Sequence, residues 1–320
     1  MIVRRRLLAS GAALLLSRTN IARAASYPSE QIKIVVPRAP GGGSDNLARF
    51  IQPGLDDKLG VTIVVENRPD ATAIVGAIAV KKSEPDGYTY YLSDNSFYQN
   101  PAILDSLPYD TIKDFTAVTM IAQAPVILIV NRDVPAKDLN ELLDLAKKSD
   151  LTFSSGGVGS STHLTGLMVN LKTGTNITHV PFRSAGPALT AVLGGHVSMG
   201  YSGLSTAASH IREGLVRALA ITGDHRNAAF PDIPTFQECG IQGADVPSIW
   251  GLHAPRATPL EYRRIMRQAI ADVMRSPALS NKLVELGFEA VCNTPEEHEA
   301  QTVELVNKWI EIGKKVSLKG

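Results

Sequence analysis

Ile34-Val35-Val36-Pro37-Arg38-Ala39-Pro40-Gly41-Gly42-Gly43-Ser44-Asp45 is the stretch on which the fold turns. Its short apolar, β-branched run predicts a buried strand. Two prolines and three glycines end that strand. Beyond them Leu47, Phe50, Ile51 and Leu55 recur at helical spacing, with Ser44 or Asp45 placed to cap the helix. Glycines let a ligand approach the backbone closely. The first helical N–H groups have no partner inside the helix and sit at the positive end of its dipole. Such a loop is either an anion site made of backbone or an ordinary strand-to-helix turn.

The same order recurs roughly a hundred residues later. Leu151-Thr152-Phe153 begins a strand, Ser154-Ser155-Gly156-Gly157-Val158-Gly159-Ser160-Ser161-Thr162 forms a small-residue loop, and His163, Leu164, Leu167, Met168 and Leu171 start a helix. Neither loop is G-x-G-x-x-G, and neither has the G-K-[ST] ending of a nucleotide-binding loop. Two glycine loops, one per half of the chain, predict two lobes gripping one small anion.

A chain of 320 residues exceeds the usual single core and predicts two domains. Its 44% hydrophobic and 20% charged residues place it among globular proteins. At the N-terminus Arg4-Arg5-Arg6-Leu7-Leu8 precedes a modest apolar run and then Ala22-Arg23-Ala24, an A-x-A cleavage pattern. The run is too short to span a membrane, and its arginines resemble a twin-arginine export signal, with a general secretory signal as the alternative. Residues 1–24 are therefore expected to be an export signal and the mature protein to be periplasmic. Their removal takes away five arginines and no acidic residue, moving the formal net charge from +1 to −4. A mildly acidic protein argues against nucleic acid or anionic lipid as partner, so a bound anion must be attracted locally. Cys239 and Cys292 can pair in an oxidising compartment, but they carry no metal spacing.

Further along, Val61–Val65 and Tyr88–Leu92 read as strands separated by the small-residue helix Ala73–Val80. Strands alternating with helices indicate a parallel α/β sheet, whose ligands bind beyond the carboxyl ends of the strands. Gly41–Ser44 and the segment Ser93-Asp94-Asn95-Ser96 both fall there. The chain is expected to cross into the second lobe near 128–131 and to return through Ser248–Leu252. That gives a discontinuous first lobe, 25–129 with 250–320, and a second lobe, 130–249. After Pro259 it reads as helical to the end, with caps at Thr258 and Thr294.

Among residues able to carry chemistry, no G-x-S-x-G elbow is present, and Ser160 with His163 is the one serine–histidine pairing for a hydrolase to use. The seven histidines show no H-E-x-x-H and no i, i+4 pair, so no metal or cofactor is implied. Tyr201 and Trp250 at strand ends can stack on a ligand or pack in a core. Arg38 can meet a second ligand charge or pair with a nearby acid.

Val36-Pro37-x-Ala39-Pro40-Gly41-Gly42-Gly43-Ser44-Asp45-x-x-Ala48-Arg49 resembles the opening motif of the extracytoplasmic solute receptors of tripartite tricarboxylate transporters, the Bug family. Val65-Glu66-Asn67-Arg68-Pro69, Pro85-Asp86-Gly87-Tyr88-Thr89, His179-Val180-Pro181-Phe182 and Pro231-Asp232-Ile233-Pro234-Thr235 extend the likeness across the mature chain. The resemblance implies a two-lobe periplasmic binding protein fold of type II, each lobe a mixed, mostly parallel sheet flanked by helices. It implies a non-enzymatic, monomeric receptor for a small organic carboxylate, which meets a membrane permease or a sensor only transiently. The carboxylate is expected between Pro40–Ser44 and Gly157–Thr162. The full expected set is Arg38, Pro40, Gly41, Gly42, Gly43, Ser44, Asp45, Ser93, Asn95, Gly157, Gly159, Ser160, Ser161, Thr162, Tyr201, Ser202 and Trp250. Arg38 stands where the family usually has Phe, and Ser202 where many members carry an acid, which favours a plain or aromatic carboxylate over an amino acid. A phosphate-type oxyanion receptor is the remaining alternative.

Overall fold

The computed structural model describes residues 27–70, 72–285 and 287–315, so the expected export signal lies outside the described residues. The opening stretch folds as strand β1 (Ile32–Val36), a glycine turn and helix α1 (Gly43–Leu59). The cap is different from the expected one. Gly42 occupies the N-cap position, and no side chain caps the helix. Ser44 and Asp45 lie inside the first turn instead.

In chain order the further strands are β2 (Ile63–Asn67), β3 (Thr89–Ser93), β4 (Phe115–Ala124), β5 (Val126–Asn131) and β6 (Thr152–Ser155). They continue as β7 (Thr178–Pro181), β8 (Met199–Gly203), β9 (Val216–Ile221), β10 (Ser248–Pro255) and β11 (Glu289–Ala290). Between them run α2 (Ile74–Lys81), α3 (Asn95–Ile103), α4 (Leu139–Ala146), α5 (Ser161–Thr173) and α6 (Ala185–Leu193). Helices α7 (Leu204–Arg212), α8 (Leu260–Met274), α9 (Pro277–Glu285) and α10 (Pro295–Lys315) complete the set. The C-terminal part is thus not wholly helical, because β11 pairs with β4 at Glu289↔Gln123 and Ala290↔Ala122. Thr294 caps as expected, exchanging hydrogen bonds with Glu297 in a capping box. Thr258 does not cap α8, and its buried hydroxyl has no partner among the described residues.

One sheet has the order β11-β4-β10-β3-β1-β2 and the other β7-β6-β8-β5-β9. Sheet membership changes between Ala124 and Val126, so the first crossing falls at Pro125, ahead of the expected 128–131. β10 belongs to the first sheet from Ser248 onward. Strand direction follows from the crossings. β1, β2 and β3 run parallel in one sheet, and β6, β7 and β8 in the other. The strands that enter a lobe from the crossing side, β10 and β5, run antiparallel to their neighbours. Parallel strands delivering their carboxyl ends to a cleft leave an incoming strand no other direction.

Each sheet is covered on both faces. Ile34, Leu47, Ile51 and Ile270 pack one face of the first sheet, and Val35, Tyr91, Phe97 and Phe115 the other. Gly54 serves this packing, since a Cβ there would lie 2.7 Å from Val273 Cγ1 on α8. Leu128, Phe153 and Tyr201 pack one face of the second sheet, and Ile127, Val192 and Phe230 the other. A smaller apolar cluster joins the lobes: Ile103 and Trp309 from the first, Leu164 from the second, and Val246 from the returning segment. Cys292 sits in the first core and Cys239 against the second, both as free thiols.

Candidate functional site

Five helices start where a strand ends at the space between the sheets: α1 after β1, α3 after β3, α5 after β6, α6 after β7 and α7 after β8. Each start brings backbone N–H groups without intrahelical partners and a partial positive charge. Asp94 caps α3 through the Ser96 N–H (2.9 Å), and Ser160 caps α5 through the His163 N–H (3.2 Å). The starts of α1, α6 and α7 have no side-chain cap. A buried helix start without a cap needs another partner, and an anion is the natural one.

The cleft these starts enclose is small, about 80 Å³. Of the expected residues, Arg38, Gly42, Gly43, Ser44, Asn95, Ser160, Ser161, Thr162 and Trp250 line it. The first lobe supplies the start of α1, with Trp250 of β10 beneath it. The Trp250 indole nitrogen donates to Ser44 Oγ (2.9 Å), and a Cβ on Gly43 would lie 2.9 Å from Trp250 Cζ2. Trp250 is 6% exposed, so it both packs in the core and forms the floor of the cleft. The second lobe supplies the start of α5, where Ser161 Oγ meets Ser248 Oγ across the lobes at 2.7 Å. Asn95 bridges to the returning segment, donating to Pro247 O (2.9 Å) and accepting from the Ile249 N–H (3.0 Å).

Arg38 is paired. Its Nε donates to Asp94 Oδ2 and its Nη2 to Ser96 Oγ, both at 2.5 Å, with the pair's side chains 8% and 13% exposed. Burial pulls its pKa down, but the charge and hydrogen bond of Asp94 outweigh this and raise it.

The other expected residues have different work. Asp45 turns away from the cleft, accepting from the Gly41 N–H, Arg49 and Asn67. Burial raises the Asp45 pKa less than these hydrogen bonds lower it. Ser93 faces the core, its hydroxyl bonded to Gly251 O, Tyr98 and His253. Tyr201 is buried edge-on against Phe153, its hydroxyl without a partner among the described residues. Ser202 donates to its neighbour Gly203 O (3.3 Å). Gly41 (φ 83°), Gly157 (φ 123°) and Gly159 (φ 76°) shape the loops in backbone conformations that favour glycine, and Pro40 is exposed at the first turn.

Sequence reasoning missed Ser184, Ala185, Gly203, Ser205, Thr206 and Ser248, and it placed the segments holding Asp94 and Gly156 at the cleft without naming either as a contact; all eight line the cleft. Ser184-Ala185-Gly186 follows strand β7 just as the glycine loops follow theirs, so a signal was present. Gly203-Leu204-Ser205 is a weaker signal because a lone glycine, not a glycine cluster, precedes α7.

Ser160 and His163 do not form a catalytic pair. Ser160 Oγ donates to Gly157 O (2.6 Å), while His163 Nδ1 accepts from the Gly159 N–H (3.2 Å) and its ring stacks on His179 at 4.1 Å. Burial first, and then His179, holds the His163 pKa down at about 3.

Residues 47–318 match the family described as tripartite tricarboxylate transporter family receptor. The chain is 30% identical over 288 residues to protein BugT of Bordetella pertussis, covering 89% of this chain and 88% of that protein. It superposes on the periplasmic binding protein BugD with a TM-score of 0.86 at 29% identity, covering 92% of this chain and 99% of that one. For MatC of Rhodopseudomonas palustris with bound malate the TM-score is 0.84 at 30% identity, over 90% and 100% of the two chains. A match along nearly the whole folded chain, on the same two-lobe frame, places this protein in the tripartite tricarboxylate transporter receptor family, the Bug or TctC-like periplasmic solute-binding proteins.

Proposed function

We propose that the mature protein is an exported, non-enzymatic receptor that closes two lobes, 27–124 with 248–315 and 125–247, over a small organic carboxylate and presents it to a tripartite membrane transporter. The observation that carries this is the convergence of uncapped helix starts on a cleft whose single cation among the described residues, Arg38, is already paired. Such a site attracts an anion by oriented dipoles. The carboxylate is held between the amides at the start of α1 and those at the start of α5, with Ser44 and Thr162 beside them. A ligand that touches both lobes favours the closed state through its differential affinity. Malate bound to MatC, and the family's name, support a carboxylate over phosphate. The Ser160 hydroxyl is spent on Gly157 O and the His163 ring on the Gly159 N–H rather than on each other, which supports capture without turnover.

Thermal unfolding of residues 25–320, refolded to strip co-purified ligand, tests this against a panel of organic acids. A ligand at a hundred times its dissociation constant adds about 2.7 kcal/mol, a midpoint rise on the order of 5–10 °C. The rise should appear with a carboxylate and not with its amide. It should also vanish in Gly42→Val, whose folding is unchanged, because a Cβ there has 3.5 Å of clearance but the larger side chain fills the space toward Ser184. Silence for mono-, di-, tri- and aromatic carboxylates, or a rise with inorganic phosphate alone, would overturn the carboxylate assignment.

A further inference from the structure

We propose that the groove on the opposite side of the lobe crossings from the cleft is a docking surface for a protein partner, that the segment it takes pairs an apolar side chain with lysine or arginine, and that this segment reads lobe closure. The proposal uses the reading above only in that the lobes close; the identity of the anion does not enter it.

Pro125 and Pro247, where the chain passes between the lobes, both line this groove, which has a volume of about 640 Å³. Its walls come from α9 and β11 of the first lobe and from the segment 221–228 of the second. Ser248, the residue after Pro247, lines the cleft instead. Pro125 O accepts from the N–H of Leu204 (3.4 Å), whose neighbours Gly203 and Ser205 also line the cleft. The crossings thus stand between the two spaces. Gly287 completes the partition. It lines the groove, and a Cβ there would lie 2.7 Å from Leu204 Cδ2, so the lobes meet with no room for a side chain. Lobes that turn about such a partition widen one space as they narrow the other. Here the cleft is narrow, about 80 Å³, and the groove wide. An occupant that touches both walls of the groove favours this arrangement over one with an open cleft.

The lining gives the chemistry of the occupant. Val284 on α9 is 57% exposed, more than any other large hydrophobic side chain among the described residues, and it lines the groove beside Pro125, Pro247 and Ala290. Three carboxylates share the lining. Asp245 accepts from the Gly223 N–H and from Gln237, Glu289 from Gln123, and Asp224 from His225. None of the three is paired with lysine or arginine among the described residues. Arg226, the one arginine of the lining, is spent on Glu238, and Lys282 of α9 lies over the Phe50 ring. A segment with an apolar side chain and a cation satisfies both the exposed wall and the uncompensated charge, whereas an acidic segment is repelled.

Fluorescence anisotropy at low salt tests this with the mature protein and three labelled pentapeptides, Lys-Leu-Lys-Leu-Lys, Lys-Ser-Lys-Ser-Lys and Glu-Leu-Glu-Leu-Glu. The first should bind about tenfold tighter than either of the others. The double variant Asp224→Asn with Glu289→Gln, and Val284→Ser, change exposed positions outside the cleft. They should keep the wild-type thermal midpoint and carboxylate affinity while weakening the first peptide about fivefold. A carboxylate that raises the thermal midpoint should tighten that peptide about threefold, and the peptide should tighten the carboxylate by the same factor. Equal binding of the three peptides, variants that bind them like the wild type, or a carboxylate that leaves peptide affinity unchanged would overturn the docking surface. If no carboxylate shifts the midpoint, the receptor reading fails by itself, and the peptide selectivity and the variants still decide the groove.

Discussion

The indole nitrogen of Trp250 donates to the Ser44 hydroxyl at 2.9 Å, joining β10 to the start of α1 across 206 residues of sequence. The bond uses one acceptor lone pair of Ser44 and leaves its hydroxyl proton free to donate. Ser44→Ala leaves a buried indole N–H without an acceptor, which costs about 1–3 kcal/mol. Urea denaturation of the ligand-free protein should show that loss, together with weaker ligand binding. Trp250→Phe should weaken binding by roughly 1 kcal/mol; unchanged affinity in both variants would leave Ser44 a purely local role.

The Arg38–Asp94 pair is buried and charge-balanced, so its halves are unequal in isolation. Arg38→Phe strands the Asp94 carboxylate and should cost about 3–5 kcal/mol of stability. Adding Asp94→Asn should return most of it. A double-mutant cycle by urea denaturation measures the coupling, and simple additivity would show that the two groups act separately.

Gly159 stands at the seam of the lobes. Its φ is 76°, a Cβ there would lie 3.3 Å from Ile103 Cδ1, and its carbonyl accepts from the Gln99 amide when that side chain is oriented to satisfy both ends. Gly159→Ala should cost about 1–2 kcal/mol of stability, the left-handed penalty for a residue with a Cβ, and its contact with Ile103 should disfavour closure and raise Kd. Small-angle scattering at saturating ligand should still reach the wild-type radius. Unchanged Kd would mean the seam does not tighten on closing.

Three fully buried histidines make stability pH-dependent. His163 and His298 are held at about 3 and His253 well below its ordinary value, burial being the main cause in each. The unfolded chain takes up these protons below about 6.5 while the folded one refuses them. Stability is therefore fully present above pH 6.5 and is lost as the pH falls toward the folded values, by about 1.4 kcal/mol per pH unit for each histidine. Denaturant midpoints between pH 7 and 5 should fall steeply, and His298→Asn should reduce the slope by one proton. A flat profile over that range would refute the burial assignment.

How much of the site could be read beforehand differs residue by residue. The two glycine loops and the helix starts behind them were legible because β-branched runs, glycine clusters and helical periodicity are local signals. Helices α3 and α7 were not anticipated. α3 contains Pro101 and is polar at its start, so it shows no clean apolar stripe, whereas α7 carries one at Leu204, Ala207, Ala208 and Ile211 but is nine residues long and follows a lone glycine. Ser93 and Asn95 looked equivalent in sequence, both at the end of a strand. They diverge because the Ser93 hydroxyl points to Gly251 and His253 on β10, more than 150 residues away, while Asn95 begins a helix at the cleft.

By itself the sequence determined the units, strand then loop then helix, and with them a cleft lined by backbone donors, because each unit is set by neighbours a few residues apart. Tertiary structure alone decided which hydroxyls are left unspent and where charge is cancelled. Ser184 has no hydrogen-bond partner among the described residues, Ser93 has three, Arg38 is neutralised by Asp94 and Asp45 is turned toward Arg49. Those outcomes depend on partners brought together by sheet order and lobe closure, which local spacing does not encode.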